Sequence, residues 1–282
     1  MAIVQRIGSG NFISWPLSGN VNRISITQGD GSLQDVVSSC VFDLDASQSA
    51  SYGGSGDTWA NLVTSPADGS AQTAYDVTRS GGTKPVWDGS NLRFTTNGIG
   101  YFEIAANTTW IESLHRAAAS PYSWIATLSL PSSASNNGLF ATGGNSLRGV
   151  GTLLQPQTAT PRYAVYQNNG STNNLLANNA VNSNASAQTL CIGFSWTGDG
   201  TYITWKNGSQ VATGTYSRSA GTDGNAGAKL VICANISSGG IPDSLMPSSG
   251  WIKSFAMFQS AVSSSQFNAL QSKLEARHGT TY

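Results

Sequence analysis

The chain has 282 residues, and only 10% of them are charged, well below the roughly 25% of an average soluble domain. Its 14 basic and 14 acidic side chains cancel, which argues against binding to nucleic acid or to an anionic membrane surface. No apolar run approaches the roughly 20 residues of a membrane span, and the N-terminus lacks the charged start and apolar core of a signal peptide. We therefore expect synthesis in a cytoplasm and a surface rich in Ser, Thr, Asn and Gly.

Residues 1–38 differ from the rest of the chain because glycines divide them into pieces that can hold only brief strands. The segment nevertheless carries a dense set of apolar side chains: Ile3, Val4, Ile7, Phe12, Ile13, Trp15 and Leu17. Apolar clusters of this kind are usually covered by another surface. Two interpretations stay open. The segment docks on a partner or a sister subunit, with these residues as assembly contacts, or it packs against the body of its own chain.

From Cys40 onward the chain reads as a succession of short strands with hairpin-length connections. Residues 41–44 form the first, and a glycine-rich turn then leads to Trp59 and Leu62. Residues 122–130 alternate between apolar and small or polar side chains without interruption, which is typical of a half-buried strand.

Residues 189–215 carry the best-defined pattern and predict a three-stranded antiparallel meander. Asn207-Gly208 predicts its second turn, because a type I′ hairpin needs a positive φ at both central positions. We expect the large side chains of this and the other well-patterned strands to be largely buried: Trp124, Phe194, Trp196, Ile203, Trp205, Trp251 and Phe255.

Two capping-box spacings predict the helices. Thr109 and Glu112 predict a short helix over residues 110–118. Ser263 and Gln266 predict a C-terminal helix, and Gly279 stands where a left-handed residue would end it.

About a dozen strands, two short helices and no alternation of strand with helix predict an all-β, antiparallel two-sheet sandwich. Four segments in order then resemble the laminin-G-like, concanavalin A-like lectin/glucanase jelly roll. They are an Asp with a Tyr-Gly turn and a Trp in 43–62, an apolar-Phe strand and an aromatic pair in 86–104, an Asn-Gly hairpin in 200–211, and a strand with a Gln-x-x-x-Leu helix before an Arg in 251–279. The resemblance implies a jelly-roll domain over residues 39–282 with a C-terminal helix. Residues 1–38 form a short N-terminal extension outside it.

The carboxylates give little support for the glycosidase chemistry that this fold also hosts. Retaining glycosidases need two carboxyl groups about 5–5.5 Å apart, and the glucanases of this fold place acidic residues at alternate positions of one strand. None of the three glutamates, Glu103, Glu112 and Glu275, has an acidic neighbour two residues on. Asp43 and Asp45 are the sole such pair, and we expect them to make turn hydrogen bonds. We predict no catalytic residue and no enzymatic activity.

Other reactive side chains favour structural roles. Cys40, Cys191 and Cys233 sit in apolar runs without metal-ligand spacing, so we expect small buried hydrophobes. His278 falls at the end of the C-terminal helix, where it is expected to interact with the last carbonyls.

The sequence offers candidate residues for two kinds of ligand, calcium and a glycan. We expect no cofactor, but some laminin-G-like domains bind calcium through loop oxygens, so the resemblance makes Asp43, Asp45 and Asp57 calcium candidates. A glycan site needs an aromatic platform and several polar groups. The glycan-binding candidates stand at strand–loop edges: Arg148, Tyr166, Asn168 and Asn169.

The resemblance, the low charge and the absence of a signal peptide favour a non-enzymatic bacteriophage virion surface protein, synthesised in the host cytoplasm. It would decorate the capsid, form a head fibre or belong to the tail, and its lectin-like sandwich would be structural and adhesive to host or environmental glycans. Expected partners are other virion proteins and sister subunits, in a homo-oligomer or an array on the particle, without nucleic acid or membrane insertion. A free carbohydrate-binding lectin is the alternative, and a glycan-cleaving enzyme is the least favoured.

Overall fold

The computed structural model describes backbone and side chains for residues 31–105, 108–114, 120–129, 137–142, 149–154, 189–198, 200–215, 229–236 and 241–282, and for Val165. It describes the backbone alone for residues 2–7, 11–16, 25–28, 130, 155, 188, the rest of 162–168, and 173–180.

The described elements are mainly short strands. The first eleven are β1 (Ala2–Ile7), β2 (Asn11–Pro16), β3 (Ser25–Gln28), β4 (Cys40–Asp45), β5 (Thr58–Trp59), β6 (Val77–Gly81), β7 (Val86–Asp88), β8 (Arg93–Thr95), β9 (Gly100–Ile104), β10 (Tyr122–Leu130) and β11 (Asn137–Ala141). The others are β12 (Gly149–Gln155), β13 (Arg162–Asn168), β14 (Asn173–Ala180), β15 (Gln188–Trp196), β16 (Thr201–Lys206), β17 (Ser209–Thr215), β18 (Val231–Ile232), β19 (Asn235–Ile236), β20 (Pro242–Asp243) and β21 (Trp251–Phe258). The α-helices are α1 (Thr109–Ser113) and α2 (Ser264–His278).

Sixteen of these strands form two eight-stranded antiparallel sheets. One sheet has the order β17-β16-β15-β10-β21-β8-β7, with β4 also paired to β21, and we call it the front sheet. The other, the back sheet, has the order β14-β13-β12-β11-β18-β9-β6-β5. The predicted all-β, antiparallel sandwich with a C-terminal helix is therefore confirmed.

The molecule has two main apolar layers. The larger lies between the sheets, where Trp124 and Phe194 of the front sheet join the same cluster as Phe102 and Phe140 of the back sheet. The smaller lies on the outer face of the front sheet, where α2 covers it. Alternation along β10 produces this division, since Trp124 belongs to the first cluster and Ile125 to the second.

The predicted meander is confirmed, because β15, β16 and β17 pair in succession. Asn207 and Gly208 have φ values of 43° and 81°, as a type I′ turn requires. Gln271 of α2 fixes the outer side of this hairpin, since its Oε1 accepts from Gly208 N at 2.7 Å and from Trp205 Nε1 at 3.2 Å. Sheet and helix are thus joined by polar as well as apolar contacts.

Five of the seven side chains predicted to be largely buried are fully buried: Trp124, Phe194, Trp196, Trp205 and Phe255. Ile203, at the margin of the cluster under α2, and Trp251 are partly exposed. β10 pairs Thr127 with Ser254 and then Leu128 with Ile252, so Lys253 is an extra residue in β21. This bulge inverts the alternation, and Ile252 enters the core instead of Trp251.

The helices begin and end largely where their caps predict. Ser263 and Gln266 form the expected capping box of α2, and Gly279 ends the helix with a φ of 62°. For α1 the N-cap is Thr108 instead of Thr109, because the Thr108 hydroxyl accepts from Ile111 N. Residues 115–119, which would carry the predicted continuation of α1, lie outside the described residues. No described helix has the length and apolar character needed to cross a membrane.

Strands β1, β2 and β3 pair with one another in a three-stranded sheet. Six of the seven predicted assembly contacts lie in β1 and β2 by their backbone alone, and Leu17 lies outside the described residues. Residues 31–38, which the sequence analysis assigns to the extension, lie against the sandwich: Leu33 and Val37 are buried in the cluster under α2. Asp35 also pairs with Lys273 of α2 at 2.8 Å.

The three cysteines are buried, as predicted, and form no disulfide. Burial raises the pKa of the Cys191 and Cys233 thiols. These side chains therefore act as small hydrophobes.

Candidate functional site

A groove of about 260 Å³ opens where the end of β4 meets the turn between β7 and β8. The two segments are distant in sequence, but β4 and β8 pair with successive parts of β21, which brings the end of β4 close to β8. The lining consists of Ser47, Ser49, Tyr52, Trp87 and Leu92, together with Ala46 and three glycines. We call this site the Trp87 groove.

Two buried rings hold Trp87 in place. Its partly exposed indole packs on Tyr52 and Phe94, with ring centroids 5.0 Å and 5.4 Å away. The Tyr52 hydroxyl donates to the carbonyl of Gly56 at 2.9 Å, which fixes that ring in turn. The indole is therefore oriented before any ligand arrives, which lowers the entropy cost of binding.

Two glycines leave the edge of this indole uncovered. A Cβ on Gly89 would lie 3.3 Å from Nε1 of Trp87, and a Cβ on Gly54 would lie 3.6 Å from it. Gly54 also has a φ of 88°, which side chains disfavour. Within the described part of the chain, the N–H of Trp87 donates to no acceptor. An indole N–H is a donor only, so it can serve an oxygen of a bound ligand.

Serine hydroxyls complete the rim. Ser47 Oγ donates to Asp45 Oδ1 at 2.7 Å, and the Ser47 N–H donates to the same oxygen at 2.9 Å. Ser49 is exposed, and its hydroxyl has no partner among the described residues. The groove thus offers one hydroxyl that is fixed by the fold and one that is available to a ligand.

The carboxylate behind Ser47 is held by the end of α2. Arg277 Nη1 donates to Asp45 Oδ2 at 3.2 Å, and His278 Nε2 lies 3.2 Å from both carboxylate oxygens. Burial opposes ionisation of Asp45, but the hydrogen bond and charge of His278 and the charge of Arg277 outweigh it and lower its pKa to about 2. The anchor of the rim is therefore an anion at neutral pH.

The prediction for His278 was a contact with the last carbonyls of its helix. Its imidazole instead bonds to Asp45 through Nε2 and to the Tyr282 hydroxyl through Nδ1, and the side chain has no exposed surface. The reason is tertiary, because α2 ends directly over β4.

Asp43 shares the same guanidinium. Arg277 Nη2 donates to Asp43 Oδ2 at 2.9 Å, and Leu33 N donates to that oxygen at 2.8 Å. Burial raises the pKa of Asp43 against the attraction of Arg277. Burial also opposes the charge of Arg277, but the two carboxylates outweigh it and raise the pKa of Arg277. Both carboxylates lie fully inside the protein, where they join α2 to β4.

The three calcium candidates do not share a site. Asp57 is half exposed and pairs with Arg79 at 3.1 Å and with Lys84, whereas Asp43 and Asp45 bind Arg277. Among the described residues, no three His, Cys, Asp or Glu side chains cluster so that they could hold a metal ion.

The glycan candidates from the sequence lie on the back sheet or beyond the described residues. Tyr166 and Asn168 belong to β13, where only the backbone is described, and their partners on β12 are Gly151 and Gly149. Arg148 and Asn169 fall outside the described residues. Their role in glycan binding stays a prediction.

A second depression, of about 400 Å³, lies between the β15–β16 turn and the start of α2. Some of its polar groups already serve the fold: Ser195 Oγ accepts from Val262 N at 2.7 Å, and Ser263 caps α2. The Tyr202 hydroxyl lies against Gly214, where a Cβ would be only 2.6 Å away. Although this depression is larger, the Trp87 groove is the better candidate because an uncovered indole N–H and an exposed serine hydroxyl lie there beside an aromatic face.

Comparison with solved structures identifies the fold. The chain resembles domain 4 of a GH43 extracellular arabinanase from Geobacillus stearothermophilus, in complex with arabinotriose, with a TM-score of 0.51 and 13% identity over 82% of this chain and 97% of that domain. It also resembles botulinum neurotoxin type C, whose cell entry depends on interaction with two ganglioside molecules, with a TM-score of 0.59 and 10% identity over 86% of this chain and 53% of that one. These likenesses show the fold alone, an antiparallel two-sheet β-sandwich.

A third similar structure is the binding domain of botulinum neurotoxin DC in complex with SialylT, with a TM-score of 0.55 and 11% identity over 86% of this chain and 52% of that one. The chain thus spans about half the length of the neurotoxin structures it matches. No protein-family model matches the chain, and no curated protein sequence matches it.

Both segments that build the groove are noted in the sequence analysis, which does not predict that they meet. The Ser-Tyr-Gly-Gly turn and the Val-Trp-Asp-Gly turn each place an aromatic residue within two positions of a glycine, and this is the signal in the sequence that could have indicated the groove. Their proximity depends on pairing with β21, near the far end of the chain.

Proposed function

We propose that this chain is a non-catalytic glycan-binding jelly roll that holds a sugar in the Trp87 groove. The observation that carries the proposal is a pre-oriented, partly exposed indole whose N–H lies uncovered between Gly54 and Gly89. Sugars present apolar C–H faces and many hydroxyls, so their sites combine aromatic rings with a few well-placed polar groups. Trp87, Ser47 and Ser49 supply that combination.

The arabinanase domain supports this proposal. The match covers 97% of that domain, so its complex with arabinotriose concerns the region that corresponds to this chain. The ganglioside interactions of the neurotoxin carry less weight, because the match covers only about half of that structure.

The positions of the carboxylates support a non-catalytic role. Asp43 and Asp45 are fully buried and bonded to Arg277, so a substrate has no access to them. Glu103 pairs with Lys229 at 3.1 Å, and Glu275 accepts from Gln271 at 2.9 Å and from Tyr282 N at 3.0 Å. Glycoside hydrolysis needs two carboxyl groups facing one sugar. Purified protein is therefore expected to release no reducing ends from the glycans it binds.

The proposal extends to the location of the sandwich on a bacteriophage virion surface. Among the described strands, β1, β2 and β3 pair only with one another, which favours a separate attachment unit for virion proteins or sister subunits. A free lectin would need no such unit. The two cases differ in whether the protein co-sediments with intact particles.

The test of glycan binding is a glycan array followed by calorimetric titration of the best ligands, with arabinotriose included. Trp87→Ala is expected to weaken binding by tenfold or more, on the order of 1.4 kcal/mol. Trp251→Ala is the matched control, since Trp251 is the other partly exposed tryptophan of the described chain and stacks on Arg93 instead of lining the groove. Failure of every glycan to bind, or equal losses in the two variants, would refute the proposal.

A further inference from the structure

The Trp87 groove has a lining without formal charge. Its side chains are hydroxyl, aromatic or aliphatic, and Tyr52 already uses its hydroxyl on the Gly56 carbonyl. We infer that the groove selects an uncharged sugar unit over an acidic one such as a uronic or sialic acid. This inference rests on the proposed glycan-binding function and specifies its ligand class.

The charged residues next to the groove are paired with one another. Asp57 is engaged by Arg79 and Lys84, and Asp88 by Arg93 at 3.2 Å. Asp45 is bound by Arg277. An acidic sugar would thus lose part of its hydration without gaining a cation partner, and transfer of an unpaired carboxylate out of water is costly.

Lys253 is a cation without an ion pair in the described part of the chain, and its backbone lies beside the groove. It occupies the bulge of β21, and its carbonyl accepts from Ala46 N at 2.8 Å, so its backbone lies next to the groove. It has no ion-pair partner among the described residues, but its side chain does not line the groove. Partial burial lowers the pKa of Lys253, Asp45 and Asp88 attract its charge, and Arg93 repels it. The experiment that tests this inference therefore includes a Lys253 variant, which shows whether this cation attracts an acidic sugar.

The donors that the groove does offer suit neutral oxygens. An indole N–H and serine hydroxyls hydrogen-bond to sugar hydroxyl and ring oxygens without requiring charge. A volume of about 260 Å³ is just below the roughly 300–1,000 Å³ of pockets for drug-sized ligands, which fits one sugar unit.

The experiment compares pairs of glycans that differ only in oxidation of a hydroxymethyl group to a carboxylate, for example galactose-terminated against galacturonic acid-terminated oligosaccharides. Wild-type protein, Trp87→Phe and Lys253→Gln are titrated with each pair at low and high salt. We expect the uncharged member to bind about tenfold more tightly or better, with little salt dependence. Trp87→Phe, which keeps an aromatic ring of smaller size but removes the N–H, should weaken that binding, and Lys253→Gln should not change the preference.

The outcomes separate this inference from the function on which it rests. If the acidic member binds more tightly and Trp87→Phe weakens it, the inference is overturned while glycan binding stands. Loss of that acidic binding in Lys253→Gln would identify Lys253 as the overlooked cation. If no member of any pair binds, or if Trp87→Phe binds as tightly as the wild type, the proposed function fails as well.

Discussion

Arg277 donates to Asp45 across 3.2 Å and thereby joins the last turn of α2 to the strand that leads into the Trp87 groove. The other carboxylate oxygen of Asp45 accepts from the backbone and the hydroxyl of Ser47. One buried carboxylate therefore connects the C-terminal helix with the rim of the groove. Fold stability and site geometry depend on the same contact.

Removing the guanidinium should be costly. Arg277→Ala removes the guanidinium that Asp43 and Asp45 share inside the protein, and loss of one member of a buried ion pair typically costs about 3–5 kcal/mol. Urea denaturation of both proteins measures the difference. Lys84→Ala is the control, because the Lys84–Asp57 pair is open to solvent and surface ion pairs of this kind contribute little to stability. Equal losses in the two variants would show that the Arg277 contacts do not stabilise the fold.

The loss of unfolding free energy at acidic pH should depend on the protonation of Asp45. Its pKa falls from 3.8 to about 2 on folding, so its contribution is complete above pH 3.8 and is lost as the pH falls towards 2. The difference in unfolding free energy between wild type and Asp45→Asn should therefore shrink by roughly 2 kcal/mol over that window. Burial raises the pKa of Asp43, so protonation of Asp43 favours the folded state as the pH falls, opposite to the effect of Asp45. Comparison with Asp45→Asn is therefore needed to isolate the contribution of Asp45. A difference that stays constant with pH would exclude this role.

Local features of this fold were predictable from the sequence. The Asn207-Gly208 turn and the Ser263–Gln266 capping box involve residues at most a few positions apart, so their chemistry is visible in the chain itself. The alternation of β10 likewise predicts burial of Trp124. For these elements tertiary structure agrees with local preference.

Features that depend on distant pairing were not predictable in this way. Alternation alone placed Trp251 in the core, but the register against β10 makes Lys253 a bulge. The groove exists because β4 and β8 meet on β21, and the ion pairs of Asp45 come from α2. The residue types within one segment do not indicate which distant segments it contacts in the folded chain.

Covering the indole edge should weaken ligand binding without harming the fold. Gly89→Ala places a methyl group about 3.3 Å from Nε1 of Trp87, at a position without a positive φ. We expect the affinity for the best glycan to fall about tenfold or more, with the melting temperature nearly unchanged. Gly82→Ala is the control, since a Cβ there meets nothing within 4 Å. Unchanged affinity in Gly89→Ala would show that the N–H does not contact the ligand.

Truncation should separate attachment from folding. Removing residues 1–30 is expected to leave a folded sandwich that no longer joins particles or oligomerises, as followed by circular dichroism and analytical ultracentrifugation. Removing residues 1–38 should also destabilise the sandwich, because Leu33 and Val37 leave the cluster under α2 and Lys273 loses Asp35. If the shorter deletion assembles like the full chain, the attachment role of the first 30 residues is wrong.

The central claim, that Trp87 contacts a sugar, is tested most directly by the indole N–H resonances of the eight tryptophans in ¹⁵N-labelled protein. The resonance of Trp87 is identified by its absence in Trp87→Phe, and an uncharged oligosaccharide from the array is then titrated in. We predict that the Trp87 resonance moves progressively and saturates, while that of Trp251 stays in place. A bound glycan that leaves the Trp87 resonance unchanged would contradict this account.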